Sequence, residues 1–413
     1  MQQFVAHWRL FPDLGRRLQE CSRLDVHKTQ KEGAIAPSFS APRKRSWHYS
    51  EVNKVTVREE IEARELSGLA PQATLASRSA GRQFDEEPDP IRTCFMIDRD
   101  RIVHSKSFRR LKHKTQVFVA PPGDHYRTRL THTLEVNQIA KTIGAGLNLN
   151  LDLIEAIALG HDVGHTPFAH AGEQILDELT GGNFRHNENS VRVLTRIEQH
   201  RDHSGLNLSS EVLDGVLHHS GYGKGFPRAA TLEGQVIRIS DKIAYVQHDI
   251  DDAIRAGLLT IEEIPGEFLK ILGTTHSQRI ATLVIDTIYH TRSLIHKEAA
   301  PAVEPGPETE RALWGLREFM FDTIYRGPVC QAERSRAMFI IEHLYDYYKK
   351  YPEKMSPLYL QIADEEGMER AVVDYISGMS DAYCISLFKD IYIPQSLVPE
   401  AGRVFGPKDG PAA

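Results

Sequence analysis

Apolar residues recur at three- and four-residue steps along most of the chain, while strict alternation is scarce. The first period belongs to amphipathic helices and the second to half-buried strands, so the pattern predicts an all-α fold with few or no strands. VTVREEIEARELSGLAP reads as a charged helix and IRTCFMIDRDRIVHSKSFRRLKHKTQVF as an amphipathic one. RTRLTHTLEVNQIAKTIGAGL puts Leu130, Leu134, Ile139 and Ile143 at helical spacing, with His132 between those stripes. LDLIEAIALG is a short apolar run that reads as a buried helix. In QVIRISDKIAYVQHDID, Asp241, Tyr245 and Asp249 share one stripe at four-residue steps. Beyond Leu258, EEIPGEFLKILG, SQRIATLVIDTIYHTRSLIHK, ALWGLREFMFDTIYR, RSRAMFIIEHLYDYYKKYP and AVVDYISGMSDAYCISLFKDIY read as further helices, with aromatic stripes suited to core or subunit contacts.

The breaks between these elements set the expected organisation. GAIAPSFSAPRKRSWHY has the Pro, Ser and basic content of a linker, so residues 1–53 are expected to form a flexible leader. A body follows over 54–300; after the Pro-rich APAVEPGPETE, a C-terminal helical region over 301–395 packs on it, ahead of a tail at 396–413. APPGDHYRTR reads as a turn, and Thr166-Pro167 as an N-cap with Pro at the first helical position.

Composition narrows the picture only a little. A hydrophobic fraction of 41% and a charged fraction of 26% are ordinary for a globular protein, and 413 residues allow an ample core. A net charge of -6 argues against a general nucleic-acid coat. Cys21, Cys94, Cys330 and Cys384 are scattered without metal-type spacing and read as reduced thiols. The leading residues lack the order of a signal peptide, and no apolar run reaches membrane-spanning length. A cytoplasmic protein without a membrane partner is therefore expected.

The chemistry concentrates in HDVGHTPFAHAGE, residues 161–173. His161 and Asp162 are a mixed nitrogen and oxygen donor pair at the end of a buried helix, which suits a divalent ion that keeps water as a further ligand. Two donors are too few, and His132 upstream and Asp241 downstream supply the same residue types from separate helices. Mixed His and Asp donors admit Mg, Mn, Co, Ni or Fe. His170 and Glu173, three apart on a helix, place an imidazole near a positive helix end beside a carboxylate, an acid/base pair or else a surface pair. Arg129 shares a helix face with His132 and suits a phosphate. The basic run from Arg99 to Lys114 is either a solvated face or in part phosphate-facing. His165, His218 and His219 fit phosphate contacts, groups behind the metal ligands or plain loop residues, and Tyr245 a core aromatic or a pocket wall.

RDRIVHSKSFRRLKHKTQVFVAPPGDHYRTRLTHTLEV, IALGHDVGHTPFAHAGE, FRHNENS and ISDKIAYVQHDIDDA together resemble the deoxyguanosinetriphosphate triphosphohydrolase family of HD-domain proteins, over about residues 55 to 400. The resemblance implies a helical HD fold with additional C-terminal helices. It implies metal-dependent hydrolysis of deoxynucleoside triphosphates, dGTP or several, to deoxynucleoside and inorganic tripolyphosphate by water attack at the α-phosphorus. By position, His132, His161, Asp162 and Asp241 would bind the metal, with His170 and Glu173 as the catalytic pair. His186 would approach the phosphates, Gln116 and Arg129 would meet sugar and phosphates, and Lys242 the phosphates. Tyr245 would face the deoxyribose and Asp249 its 3′-hydroxyl. A homo-oligomer, a nucleotide effector and single-stranded DNA are the further partners it implies. Competing expectations are an HD phosphohydrolase for another nucleotide phosphoester and a catalytically silent nucleotide- or nucleic-acid-binding regulator.

Overall fold

A computed structural model describes residues 55–116, 127–200, 203–221, 226–295 and 302–394. The expected leader and tail lie outside these residues, as do most of the turn before Arg127 and parts of the glycine-rich loop after His219 and of the Pro-rich break. By contacts the chain divides into Met1–Asn53 and Lys54–Ala413, and all that follows concerns the second unit.

The fold is all-α. Helix α1 (Val57–Gly68) starts on a capping box in which Thr56 and Glu59 satisfy each other's backbone N–H. The basic run after it is broken into α2 (Cys94–His104) and α3 (Lys106–Arg110), because Ser105 is extended and caps the second helix through Phe108 N. α4 (Arg129–Leu147) begins at Thr128 and ends on Asn148 in the left-handed region, φ 57°. Its buried face is Val136, Ile139, Ala140, Ile143 and Leu147; of the expected stripe Ile139 and Ile143 lie on that face, Leu130 packs partly buried against the core, and Leu134 departs from it at 49% exposed.

α5 (Leu151–Gly160) packs against α2, α4, α8 (Ser210–Leu217) and α9 (Leu232–Arg255), burying every residue but Leu151, Asp152 and Glu155. Its start is fixed by Asn150, whose side chain accepts from Asp152 N and Leu153 N while donating to Glu65 and to the Thr74 carbonyl. These helices, with α10 (Gly266–Leu272), α11 (His276–Ile295) and α12 (Pro307–Met320), share one apolar core. The strand content of the described residues is one short hairpin, β1 (Gln199–His200) with β2 (His203–Ser204).

A second core lies beside the first. α6 (Ala169–Leu179) contributes Ala171, Ile175 and Leu176, with Phe168 just before it. Against them pack α13 (Pro328–Lys350), α14 (Pro357–Glu366), α15 (Met368–Ser377) and α16 (Asp381–Tyr392). AVVDYISGMSDAYCISLFKDIY is thus two helices: the first ends at Gly378, and Ser380 caps the next through Tyr383 N. Cys94, Cys330 and Cys384 are free thiols, and no described helix is long and apolar enough to cross a membrane.

Candidate metal centre and active site

The site forms where α5 runs out. His161 is the C-cap of α5; its Nδ1 donates to the Ala158 carbonyl at 2.7 Å, which fixes the tautomer and leaves Nε2 with a free lone pair. That Nε2 is buried without a hydrogen-bond partner among the described residues. It lies 3.9 Å from Asp162 Oδ2 and 4.0 Å from Asp241 Oδ1, while His132 Nε2 lies 3.1 Å from Asp241 Oδ1. Two donors on one ion at about 2.1 Å bonds stand no more than about 4.2 Å apart, so these separations fit a shared cation. The orphaned Nε2 and the choice of two imidazoles with two carboxylates fit it as well.

Charge in the cluster is balanced by cations. Against the pull of burial, Arg129 and the neighbouring imidazoles hold the Asp162 carboxyl well below the usual carboxylate range. Lys242, 3.3 Å from Asp241, does the same for that residue together with His132. Arg129 donates directly to Asp162, as its place one turn before His132 on α4 allows.

Glu173 stands between three imidazoles. It accepts from His186 Nδ1 at 2.8 Å and from His186 N at 2.9 Å, whereas His170 Nδ1 and His165 Nε2 stand off at 3.8 and 3.9 Å. The carboxylate beside His170 therefore makes its close bond to a third residue, His186, at the start of α7 (His186–Arg192). Although burial opposes its charge, His186 is raised above the usual imidazole range by Glu173, and Glu173 is correspondingly lowered. His165 is buried and held well below that range by desolvation, hence neutral. His170 is the exposed one, with its side chain 57% accessible.

All of these groups but His161 line a cavity of about 1090 Å³ that also takes in Gln116, Arg129, His219, Lys242, Tyr245, Trp314, Arg317 and Tyr325. Its size exceeds the span typical of small-molecule pockets, about 300–1,000 Å³. Tyr245 stacks on Tyr325 with centroids 5.9 Å apart and meets the edge of His170 at 6.1 Å. Asp249, third on the expected stripe, does not line the cavity: it is covered by Tyr325, whose hydroxyl donates to it. Burial pushes the Asp249 carboxyl well above its usual range. Gln116 is buried with Oε1 unpartnered among the described residues.

Sequence reasoning left His219 open and missed Tyr325 and Arg317. His219 is 1% exposed, with Nε2 3.2 Å from His186 Nε2. Tyr325 ends a wide turn of π geometry, Phe321–Tyr325, which no residue spacing announces. Arg317, over the rings of Trp314 and Phe321, reaches the cavity from the helix before it. Of the basic run, Arg101 is spent on the Leu206 and Asn207 carbonyls and on Glu86, and Lys114 is wholly buried, while Lys106, Arg109, Arg110 and Lys112 remain exposed.

Residues 129–246 match the HD domain family, and residues 303–390 the phosphohydrolase-associated domain. Curated relatives run along most of the chain. The deoxyguanosinetriphosphate triphosphohydrolase-like protein of Clostridium tetani (strain Massachusetts / E88) is 52% identical over 349 residues, 84% of this chain and 99% of its own length. The like-named protein of Clostridium perfringens (strain 13 / Type A) is 53% identical over 339 residues, 82% of this chain and 98% of its own. A solved structure of a hypothetical protein from Aquifex aeolicus is a looser likeness, with a TM-score of 0.39 and 21% identity over 70% of this chain and 67% of that one. With an HD domain over the buried His and Asp cluster, and relatives above half identity along nearly their whole length, the chain belongs to the deoxyguanosinetriphosphate triphosphohydrolase-like proteins.

Proposed function

We propose that the protein is a metal-dependent phosphohydrolase that converts a deoxynucleoside triphosphate, dGTP or several dNTPs, to the deoxynucleoside and inorganic tripolyphosphate. One observation carries the reading: His132, His161 and Asp162 hold donor atoms within 4.8 Å of one another, Asp241 Oδ1 stands 3.1 Å from His132 Nε2 and 4.0 Å from His161 Nε2, and Arg129, Lys242 and Arg317 line the adjoining cavity. Those four residues would hold the ion. When bound, a divalent ion (Mg, Mn, Co, Ni or Fe) supplies Lewis-acid polarisation of a phosphoryl oxygen and makes a water more acidic.

The chain supplies the rest. Lys242 and Arg317, which line the cavity, would neutralise the triphosphate, and Arg129 would turn from Asp162 toward it. Water adds at the α-phosphorus and the bond from that phosphorus to the 5′-oxygen breaks. The nucleoside then leaves as an alkoxide that takes up a proton. His170, exposed in the cavity near the start of α6, is proposed to give that proton, with Glu173 3.8 Å from its Nδ1. Gln116 would meet the sugar and phosphates, and Tyr245 the deoxyribose face. His186, tied to Glu173, would approach the phosphates. A 3′-hydroxyl reaches Asp249 only when Tyr325 gives up its own hydrogen bond there.

The test is incubation of the full chain with each of the four dNTPs in Mg and in Mn, scoring tripolyphosphate. Tripolyphosphate from at least one dNTP is expected. Orthophosphate alone, or no hydrolysis alongside salt-dependent DNA binding, would overturn the reading.

A further inference from the structure

We propose that Trp314 and Phe321 are positioning residues, whose ring faces hold the Arg317 guanidinium so that its N–H edge stays free to grip the β- or γ-phosphate of a nucleoside triphosphate. The inference rests on the triphosphate reading above and adds the side chains that aim one of its cations.

The way Arg317 is held sets it apart. Arg127 is bound by Glu135, Asp251 and Asp252, Arg192 by Asp374 and Glu366, and Arg129, on the cavity wall, by Asp162. Arg317 lines the same cavity, yet it makes no ion pair or hydrogen bond among the described residues. Two rings hold it instead: its guanidinium carbon stands 5.4 Å from the centroid of Trp314 and 5.3 Å from that of Phe321. Spacing explains the arrangement, because Trp314 lies three residues before Arg317 and Phe321 four after, on one face of α12 and its C-cap.

Face and edge of a guanidinium do different work. Its five N–H groups lie in the plane, where a carboxylate consumes them, whereas an aromatic ring attracts the charge from above the plane. Arg326 shows the contrast: it also stands over Phe321, at 5.4 Å, but Asp322 takes its N–H edge at 2.8 Å. Arg317 thus keeps its donors while its direction is fixed. A phosphate arriving there breaks no existing bond, while Arg129 must first leave Asp162. Removing the rings therefore costs binding that substrate and transition state share, which raises KM for a dNTP and spares kcat.

The test titrates inorganic tripolyphosphate, in excess Mg, into the full chain by calorimetry, with deoxyguanosine as a second probe. Trp314→Leu and Phe321→Leu are each expected to weaken tripolyphosphate about 2- to 5-fold and to leave deoxyguanosine nearly unchanged. Phe321→Tyr, which keeps the ring face, should restore the affinity. In an Arg317→Gln background the ring substitutions should cost nothing further, because the rings act through that guanidinium. Unchanged tripolyphosphate affinity, equal losses for the two probes, or full ring effects without Arg317 overturn the assignment. Where Arg317→Gln fails to fold, the comparison of Phe321→Leu with Phe321→Tyr decides it. Ring-dependent binding of tripolyphosphate in a chain that hydrolyses no dNTP leaves the clamp standing and overturns the proposed reaction. No tripolyphosphate binding at all overturns both.

Discussion

His170 and Lys114 show how differently two polar side chains are used a short distance apart. His170 is the most accessible imidazole facing Glu173, at 3.8 Å, so its ring can turn toward a leaving oxygen while its neighbours are locked. His170→Ala is expected to lower kcat about 100- to 10,000-fold at unchanged metal content, the usual worth of one acid/base group. Steady-state rates and metal analysis on one preparation check it; full turnover would remove the role. Lys114 instead is buried whole, donating to the carbonyls of His165 and Ser377, and burial lowers its ammonium to about 7. The unfolded chain keeps that proton up to the ordinary lysine range, so between pH 7 and about 10.4 it binds more protons than the native state and stability rises with pH. Relative to Lys114→Met, the native protein should gain up to about 1.4 kcal/mol per pH unit across that window, read from urea unfolding at pH 7, 8.5 and 10. Equal pH slopes would contradict it. From sequence, Lys114 was one of a basic run, because nothing local tells a lysine aimed inward at two carbonyls from one in water. That His132, His161, Asp162 and Asp241 come near one another was legible from their order, a His-Asp pair between two lone polar groups on separate helices.

At the scale of elements, the segment from α5 to α6 decides the site, and it is wedged into place. Gly164 N donates to Ser190 Oγ, its carbonyl accepts from Asn189 Nδ2, and a Cβ there would stand 2.1 Å from Ser190 N. Gly164→Ala must therefore push this segment away from α7, at about 1–3 kcal/mol for overpacking. Denaturant unfolding checks the loss, and an unchanged midpoint would show that the two segments are not clamped. The helix after it begins at Ala169, not at the expected Thr166-Pro167 cap. Thr166 Oγ1 donates to the Ala169 carbonyl instead, and Phe168 and Ala169 take left-handed φ of 61° and 52°. The Thr-Pro signature was real local chemistry, overridden by a turn that contacts elsewhere hold. The same limit left His219 open: its 3.2 Å approach to His186 joins the start of α7 to a residue just past the end of α8, 33 positions on.

What holds that turn comes from the far end of the chain, and it makes the C-terminal helices part of the site at the scale of the whole molecule. Asp381 Oδ1 accepts from Phe168 N at 2.9 Å, while its Oδ2 accepts from Thr115 N at 2.9 Å and Thr115 Oγ1 at 2.7 Å, next to Gln116. Ser377 adds a bond from Lys114 to its carbonyl and one from Asn189 to its hydroxyl, and Arg192 pairs with Asp374. No sequence pattern links Asp381 to Phe168 across 213 residues, so the amphipathic C-terminal helices were readable as core while their grip on the site was not. A left-handed Phe lies roughly 1–2 kcal/mol above its relaxed conformation, so the turn persists only while Asp381 accepts its N–H. Asp381→Ala leaves three donors without that acceptor and should lose about 1–3 kcal/mol of stability. It should also lower kcat several-fold with both His132 and His161 still holding metal, because α6 and His170 are then free to shift. Asp381→Asn keeps one oxygen acceptor and should recover part of both losses. Stability, metal content and kcat measured across the three proteins separate this from simple unfolding, and an Asp381→Ala protein with unchanged kcat would show that the C-terminal helices cover the site without positioning it.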